Sequence, residues 1–557
     1  MKPVISIGNQ DFKTIRENNY FYIDKTGFIK EWWNSGDVVT LITRPRRFGK
    51  TLNISMCEQF FSNQYSGCHK LFEELDVWKD ENFRRLQGTY PVISLSFASV
   101  KGKTCGEAIE GIKQILVDLY VKFDFLCHND ILSQKEKEYF DFVKPDMSDT
   151  ITAMSLHRLS LCMNHYYGKK VLIFLDEYDT PLLEAYLNGY WDELVLFIRR
   201  LFNSTFKTNP YLERGLLTGI TRITKESIFS DLNNLEVVTT TSLKYETSFG
   251  FTENEVASAL NVFHLSNQME NVKNWYNGFH FGKRKDIYNP WSITKYLDTG
   301  KLGNYWVNTS ANSLAGKLIR EGPPDIKIAM EDLLSGKQIK ASIDEEIIFN
   351  QLDENDSAIW SLLLASGYLK ADTIPQNEGE PYYLSLTNHE IQNMFRKMIQ
   401  DWFGKSSVKY NDFIKALLSD NVVYMNRFMN QMTSSVFSFF DTGKHPSQQE
   451  PERFYHGFVL GLIADSKIDY IITSNRESGF GRYDVLMEPK NPLDNAYVLE
   501  FKVHDPEYEK SLEDTVKTAL MQINKNNYDA LLIARGIPKE KIRHYGFAFE
   551  GKKVLIG

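Results

Sequence analysis

Gly49, Lys50 and Thr51 stand between a short β-branched run, Val38 to Thr43, and a stretch with helical spacing, Leu52 to Phe61. In a strand, loop, helix setting these residue types hold phosphates. Backbone N–H groups and the helix N-terminus cradle the anion, Lys50 reaches the β and γ phosphates, and Thr51 contacts Mg²⁺. Arg46, Arg47 and Phe48 complete the loop, and the two arginines either enrich phosphate beside it or face water. Arg44 stands where the Gly-x-x-x-x-Gly-Lys-Thr pattern has its first glycine, so a positive φ is costly at that point. Further on, the apolar run Val171 to Leu175 suits a buried parallel strand and ends in Asp176, Glu177, Tyr178 and Asp179. Carboxylates at the C-terminal end of such a strand sit where ligands bind. Asp176 is expected to hold Mg²⁺ through water, and Glu177 to orient and deprotonate an attacking water. Thr218, near the end of the run Gly215 to Ile220, could sense the γ phosphate. Arg222 could contact it or a neighbouring subunit, and Arg199 with Arg200 could serve the same end or form a solvated helix face. Taken one at a time, each element also reads as an ordinary solvent-facing turn; together and in this order they read as an ATP site.

A second constellation lies near the end of the chain. Gly481 to Leu486 reads as a strand entered through a glycine turn, and Ala496 to Val503 as its hairpin neighbour. Side chains alternate along a strand, so Glu500 and Lys502 share one face while Phe501 points to the other. If Asp484 lies on the Glu500 side, two carboxylates converge on a hard divalent cation, Mg²⁺ or Mn²⁺, which prefers oxygen ligands. Lys502 would then position a water nucleophile or counter charge developing on a phosphate. A lone Glu-x-Lys is most often a surface ion pair. Here a helix with Glu452 and His456 precedes the first strand, and a helix with Gln522, then Tyr528 and a strand over Ala530 to Ala534, follows the second. Lys539, Lys541, Arg543 and His544 could grip a phosphate backbone or form a solvated turn.

These residues resemble the AAA-ATPase-like family that carries a C-terminal PD-(D/E)XK nuclease domain. Tyr22 to Thr26, Arg44 to Thr51, Phe174 to Asp179, Thr218 to Arg222, Phe229 to Asn233 and Trp275 to Phe279 carry the resemblance. It implies that Arg44 to Thr51 is the family's own form of the loop, and that Tyr22 to Thr26 lies near the nucleotide. The α, β, β, β, α, β order is similar to the PD-(D/E)XK core, with Asp484, Glu500 and Lys502 on its motif positions. By the same resemblance Glu452 matches an acid that many members add to the metal cluster, and Gln522 braces the site or touches nucleic acid. The implied activity is an ATP-regulated or ATP-driven nuclease acting on DNA, in defence or in handling mobile elements. A nucleotide-dependent assembly switch, whose last domain binds nucleic acid or a partner without cutting, is the alternative.

A chain of 557 residues needs more than one core. The reading is α/β: a P-loop NTPase parallel sheet over 1–250, a helical lid and winged-helix-like region over 251–440, and a PD-(D/E)XK nuclease-like domain over 441–557. Strands are expected at Val38 to Thr43, Tyr90 to Phe97, Lys170 to Leu175, Gly215 to Ile220 and Val237 to Thr241. Trp275 to Phe279 through Tyr288 to Trp291 reads as a lid or interdomain loop. Ser361 to Lys370 reads as a helix turning at glycine into a strand, with Tyr382 to Leu386 as its hairpin partner, and Gly443 to Pro451 as a linker. With a formal net charge of −8, nucleic acid has to be held by local basic patches rather than by overall charge. The five cysteines lack CxxC spacing, which argues for free thiols over disulfides or zinc. Apolar runs fall short of the roughly 20 residues a bilayer crossing needs, and the first residues do not read as a secretory signal. A cytoplasmic protein, with no membrane partner and with homo-oligomer formation open, is expected.

Overall fold

The computed structural model describes the chain except residues 1, 129, 222–227, 230–231, 307–314, 317, 320–323, 335, 345–355, 374, 376–379, 405–410, 437–458, 460–462, 464–469, 479–480, 492 and 551–552. Arg222, Glu452, His456 and the linker expected at 443–451 lie outside the described residues. The chain divides into two compact units, one of residues 1–314 with 338–392 and the other of residues 315–337 with 393–557.

The first unit is built on a five-stranded parallel sheet in the order β2-β3-β4-β1-β5. Its strands are β1 (Val39–Thr43), β2 (Val92–Ser96), β3 (Val171–Asp176), β4 (Leu212–Gly219) and β5 (Leu235–Val238). Every residue of β1 and β3 is buried, Thr40, Thr43 and Asp176 included, as strands of a sheet covered on both faces must be. Because β4 runs between β1 and β3, the C-terminal ends of all three strands lie side by side. That edge carries the phosphate-type loop, Thr218 and Asp176.

Two small sheets belong to the same unit. The stretch expected to be a lid or interdomain loop is instead a hairpin, β7 (Asn277–Phe281) and β8 (Arg284–Tyr288), joined by β6 (Phe251–Thr252) in the order β6-β8-β7. The reason lies in the apolar side chains the two strands bury: Phe279, Phe281, Ile287 and Tyr288 are all buried, and Gly282 takes the turn at φ 55°. Further along, the helix Asp356–Ala365 turns at Gly367 into β10 (Leu369–Thr373), which pairs antiparallel with β11 (Tyr382–Leu386), as the sequence suggested. β9 (Ile339–Ala341) completes that sheet on the far side of β11.

The second unit holds a mixed sheet in the order β12-β13-β14-β15-β16. β12 (Tyr470–Ser478), β13 (Gly481–Pro489) and β14 (Ala496–Val503) form an antiparallel meander. The helix Leu512–Lys525 then crosses over to β15 (Ile542–Glu550), which runs parallel to β14, and β16 (Lys553–Ile556) closes the edge. Val485, Met487, Leu499 and Phe501 pack into one core with Phe547 and Phe549. On the opposite face Leu486, Ala496 and Val498 meet Ile523, Tyr528 and Leu532. Ala530–Ala534, read from sequence as a strand, is a short helix. An unbroken five-residue apolar run has no period to separate the two conformations, and β15 takes the place beside β14.

All five cysteines are free thiols, with Cys57 and Cys162 buried. Among the described residues, no helix is long and apolar enough to cross a membrane.

Candidate functional site

β1 delivers the chain into the loop Arg44–Gly49, and the helix Lys50–Phe61 starts directly after it, with Gly49 at φ 83° as its N-cap. The loop takes its positive φ values at Arg47 (65°) and Gly49, and not at Arg44. The strain expected from Arg44 therefore does not arise. Its buried guanidinium does structural work, donating to the carbonyls of Thr43 (2.9 Å) and Thr239 (2.6 Å) and lying 4.6 Å from the Phe281 ring centroid. Burial holds its pKa well below the ordinary arginine value. Lys50 Nζ donates to the carbonyls of Arg44 (2.8 Å) and Pro45 (2.9 Å), which folds the loop around its ammonium group.

Thr51 Oγ1 donates to Asp176 Oδ2 at 2.6 Å, and Thr218 Oγ1 donates to Asp176 Oδ1. The ends of β3 and β4 and the first turn of the helix after the loop thus meet at one carboxylate. Burial pushes Lys50 down to about 8, with Asp176, Asp179 and Glu177 drawing it back up. Burial also raises Asp176, against the hydrogen bonds of Thr218 and Thr51. Glu177 leaves β3 at φ 51°, a conformation that costs a non-glycine residue roughly 1–3 kcal/mol. Its Oε2 accepts from Thr180 Oγ1 at 3.1 Å.

Asp179 has a role that its place in the sequence motif did not assign. Only 5% exposed, its Oδ2 accepts from Ile220 N (2.8 Å), Thr221 N (3.0 Å) and Thr221 Oγ1 (3.0 Å), fixing the turn after β4. Tyr178 closes the same turn through its hydroxyl to Thr221 O at 2.7 Å. Gly219 leaves room for both, since a Cβ there would come within 2.6 Å of the Tyr178 ring. The available sequence signal is an acid three residues beyond the strand-end aspartate.

Of the remaining loop residues, Phe48 is buried against Phe279 (4.8 Å) and Phe281 (5.2 Å), and the Arg47 guanidinium lies 4.5 Å over Trp291. Arg47 thus stacks on an aromatic ring rather than simply facing water. Tyr22–Thr26 forms a clasp. Asp24 accepts from Thr26 and from Asp76 N (2.7 Å), and Lys25 pairs with Glu255 (2.7 Å) and donates to Thr247 O (2.8 Å). Arg199 and Arg200 lie in the last turn of the helix Trp191–Phe202.

In the second unit β13 and β14 pair with Val485 opposite Leu499 and Leu486 opposite Val498. Continuing that register by one residue sets Asp484 opposite Glu500, on the face that also carries Lys502 and is covered by the helix Leu512–Lys525. Glu500 is 1% exposed, and its Oε1 accepts from Gln522 Nε2 of that helix. Asp484 Oδ2 accepts from Phe501 N at 2.8 Å, so its carboxylate is held against β14 beside Glu500. Gln522 Nε2 also reaches the Tyr528 hydroxyl at 3.3 Å. The basic turn is largely spoken for: Arg543 pairs with Asp420 (3.0 Å), His544 with Asp529 (2.6 Å), and Lys541 donates to Leu493 O (2.8 Å), while Lys539 is exposed.

The donor sets suit two different ligands. A lysine, a threonine and a strand-end aspartate at a helix N-terminus fit a nucleotide with its metal. Two carboxylates and a lysine on one sheet face fit a hard divalent ion beside a phosphate. Comparison with known proteins agrees with this division. An uncharacterized protein in the vnfD 5′ region of Azotobacter chroococcum mcd 1 is 24% identical over 391 residues, 70% of this chain and 68% of that protein. Residues 6–229 match the predicted AAA-ATPase family model and residues 450–557 the PD-(D/E)XK nuclease superfamily model. The chain therefore carries a predicted AAA-ATPase domain followed by a nuclease domain of the PD-(D/E)XK superfamily.

Proposed function

We propose that this chain is a cytoplasmic ATPase whose C-terminal domain cleaves DNA with the help of Mg²⁺ or Mn²⁺, and whose nucleotide state governs the cut. What carries the nuclease reading is the common face of Asp484, Glu500 and Lys502, with Gln522 holding one oxygen of Glu500. Asp484 and Glu500 would hold the divalent ion. When bound, that ion supplies charge for the phosphodiester and lowers the pKa of a coordinated water. Lys502, two residues from Glu500 on the same face, orients that water or offsets charge on the phosphate oxygens.

On the ATPase side, Lys50 and the backbone N–H groups of Phe48, Gly49 and Lys50 bind the phosphates, while Thr51 and Asp176 hold Mg²⁺. Glu177 orients the attacking water, and Thr218, bonded to Asp176, reads the γ phosphate. Arg46 and Arg47 add positive charge at the loop. Arg222 is proposed to contact the γ phosphate or a neighbouring subunit. The winged-helix-like region around β9, β10 and β11 relays nucleotide state to the nuclease domain.

The test is incubation of the purified full chain with supercoiled plasmid, or with RNA of matching length, in Mg²⁺ or Mn²⁺, with and without ATP. Cutting of DNA that Lys502→Ala abolishes, and whose ATP response Lys50→Ala removes, is the expected result. Intact DNA under every condition would refute the proposal, and cutting confined to RNA would move the substrate.

A further inference from the structure

The carbonyl of Arg46, in the middle of the phosphate-type loop, is held from outside the parallel sheet. It accepts from the indole Nε1 of Trp306 at 2.9 Å and from Asn289 Nδ2 at 3.3 Å. Trp306 is in turn fixed through its own backbone, its N–H donating to Glu390 Oε1 at 2.6 Å. Glu390, 1% exposed at the start of the helix His389–Gly404, accepts from Ser292 Oγ at 2.8 Å through its other oxygen. Ser292 belongs to the helix Pro290–Thr299, which Asn289 caps through its Oδ1.

Loop, indole, buried carboxylate and helix cap therefore close a ring around one peptide group of the loop. Other loop residues have partners from the same part of the chain. Pro45 fits against Gly367, where a Cβ would approach within 2.8 Å, and Phe48 packs on the β7 phenylalanines. A glycine-rich loop owes its shape to its own backbone freedom. This loop holds Arg, Pro, Arg, Arg and Phe at positions 44–48, and its shape is imposed by the segments that grip it.

We infer that Glu390, acting through Trp306, is a positioning residue for the nucleotide site: it sets the orientation of the Arg46 peptide, and with it the direction of the N–H groups that follow. The inference rests on the ATP reading given above. It makes nucleotide affinity depend on Glu390, a side chain far from Arg46 in sequence.

The experiment measures the Kd of Mg·ATP for the full chain by calorimetry, together with hydrogen exchange of peptides covering 44–49 in nucleotide-free protein. Trp306→Phe keeps an aromatic ring, smaller than the indole, and deletes the donor, and it should weaken binding about five- to tenfold, as loss of one buried hydrogen bond does. Glu390→Ala should weaken binding to a similar degree, Glu390→Gln should recover most of the affinity, and the double variant Trp306→Phe/Glu390→Ala should be no weaker than the worse single one. Faster exchange of the loop peptides should accompany each loss.

An unchanged Kd in folded Trp306→Phe would overturn the inference, as would additive losses in the double variant. If Glu390→Ala does not fold, Trp306→Phe and Glu390→Gln decide. Failure of the underlying reading looks different: wild-type protein would bind no nucleotide, or Lys50→Ala would bind it as well as wild type, and the inference would fall with it.

Discussion

Asp179→Ala removes the acceptor for two backbone N–H groups and one hydroxyl in the turn after β4. Hydrogen bonds to a charged group contribute ~1.5–3 kcal/mol each, so three of them give an upper figure near ~9 kcal/mol. The net is smaller, because the carboxylate stands in a buried place that raises its pKa, and deleting it also ends that desolvation cost. A balance of ~3 kcal/mol against local opening of the turn is the working figure. Since each 1.4 kcal/mol is a factor of ten, amide exchange at Ile220 and Thr221 should accelerate ~100-fold. Asp179→Asn keeps an acceptor oxygen and should show ~10-fold or less. Hydrogen-exchange mass spectrometry on peptides spanning β4 and its turn reads both, with peptides of β3 as the internal control. The ATP affinity of Asp179→Ala should fall as well, because Thr218 lies one residue before Gly219. Wild-type exchange rates at Ile220 and Thr221 in the alanine variant would refute the reasoning.

Gln522→Leu removes the donor to Glu500 Oε1 and should weaken Mn²⁺ binding at the nuclease centre ~10-fold, measured by calorimetry, while nucleotide binding at Lys50 stays unchanged. Gly278→Ala should lower the thermal midpoint of the first unit and cost ~3 kcal/mol or more, because φ is 131° there and the new Cβ would lie 2.0 Å from Thr387 O; an unchanged midpoint by calorimetry would count against the observed packing of β7.

Much of the fold could be read from sequence because the parallel strands are short, rich in β-branched and other apolar residues and bounded by polar ones, a pattern with few competing explanations. The same holds for the β13–β14 pair, where strict alternation separates Phe501 from Glu500 and Lys502. The loop reading fails for a physical reason: Trp275 to Trp291 is rich in glycine, asparagine and aromatics, a composition shared by loops and by tight hairpins, and only the pairing of β7 with β8 decides between them. Ala530–Ala534 failed because it lacks any period. The site's long-range ties were the least legible. Nothing near Arg46 points to Trp306 or Glu390, and Arg44 looks like a defect in the motif until Thr239 and Phe281, brought close by β5 and β7, supply its partners. Contacts that join residues hundreds of positions apart leave no local pattern to read.

The presence of two separate divalent-ion sites in one chain is tested most directly by counting bound Mn²⁺ per full-length molecule. Electron paramagnetic resonance titration should give one ion per chain without nucleotide and two with a non-hydrolysable ATP analogue. Asp484→Asn with Glu500→Gln should delete the nucleotide-independent ion, and Lys50→Ala the nucleotide-dependent one. Wild-type protein that binds no Mn²⁺ in the absence of nucleotide, or that keeps that ion when Asp484 and Glu500 are both replaced, would contradict it.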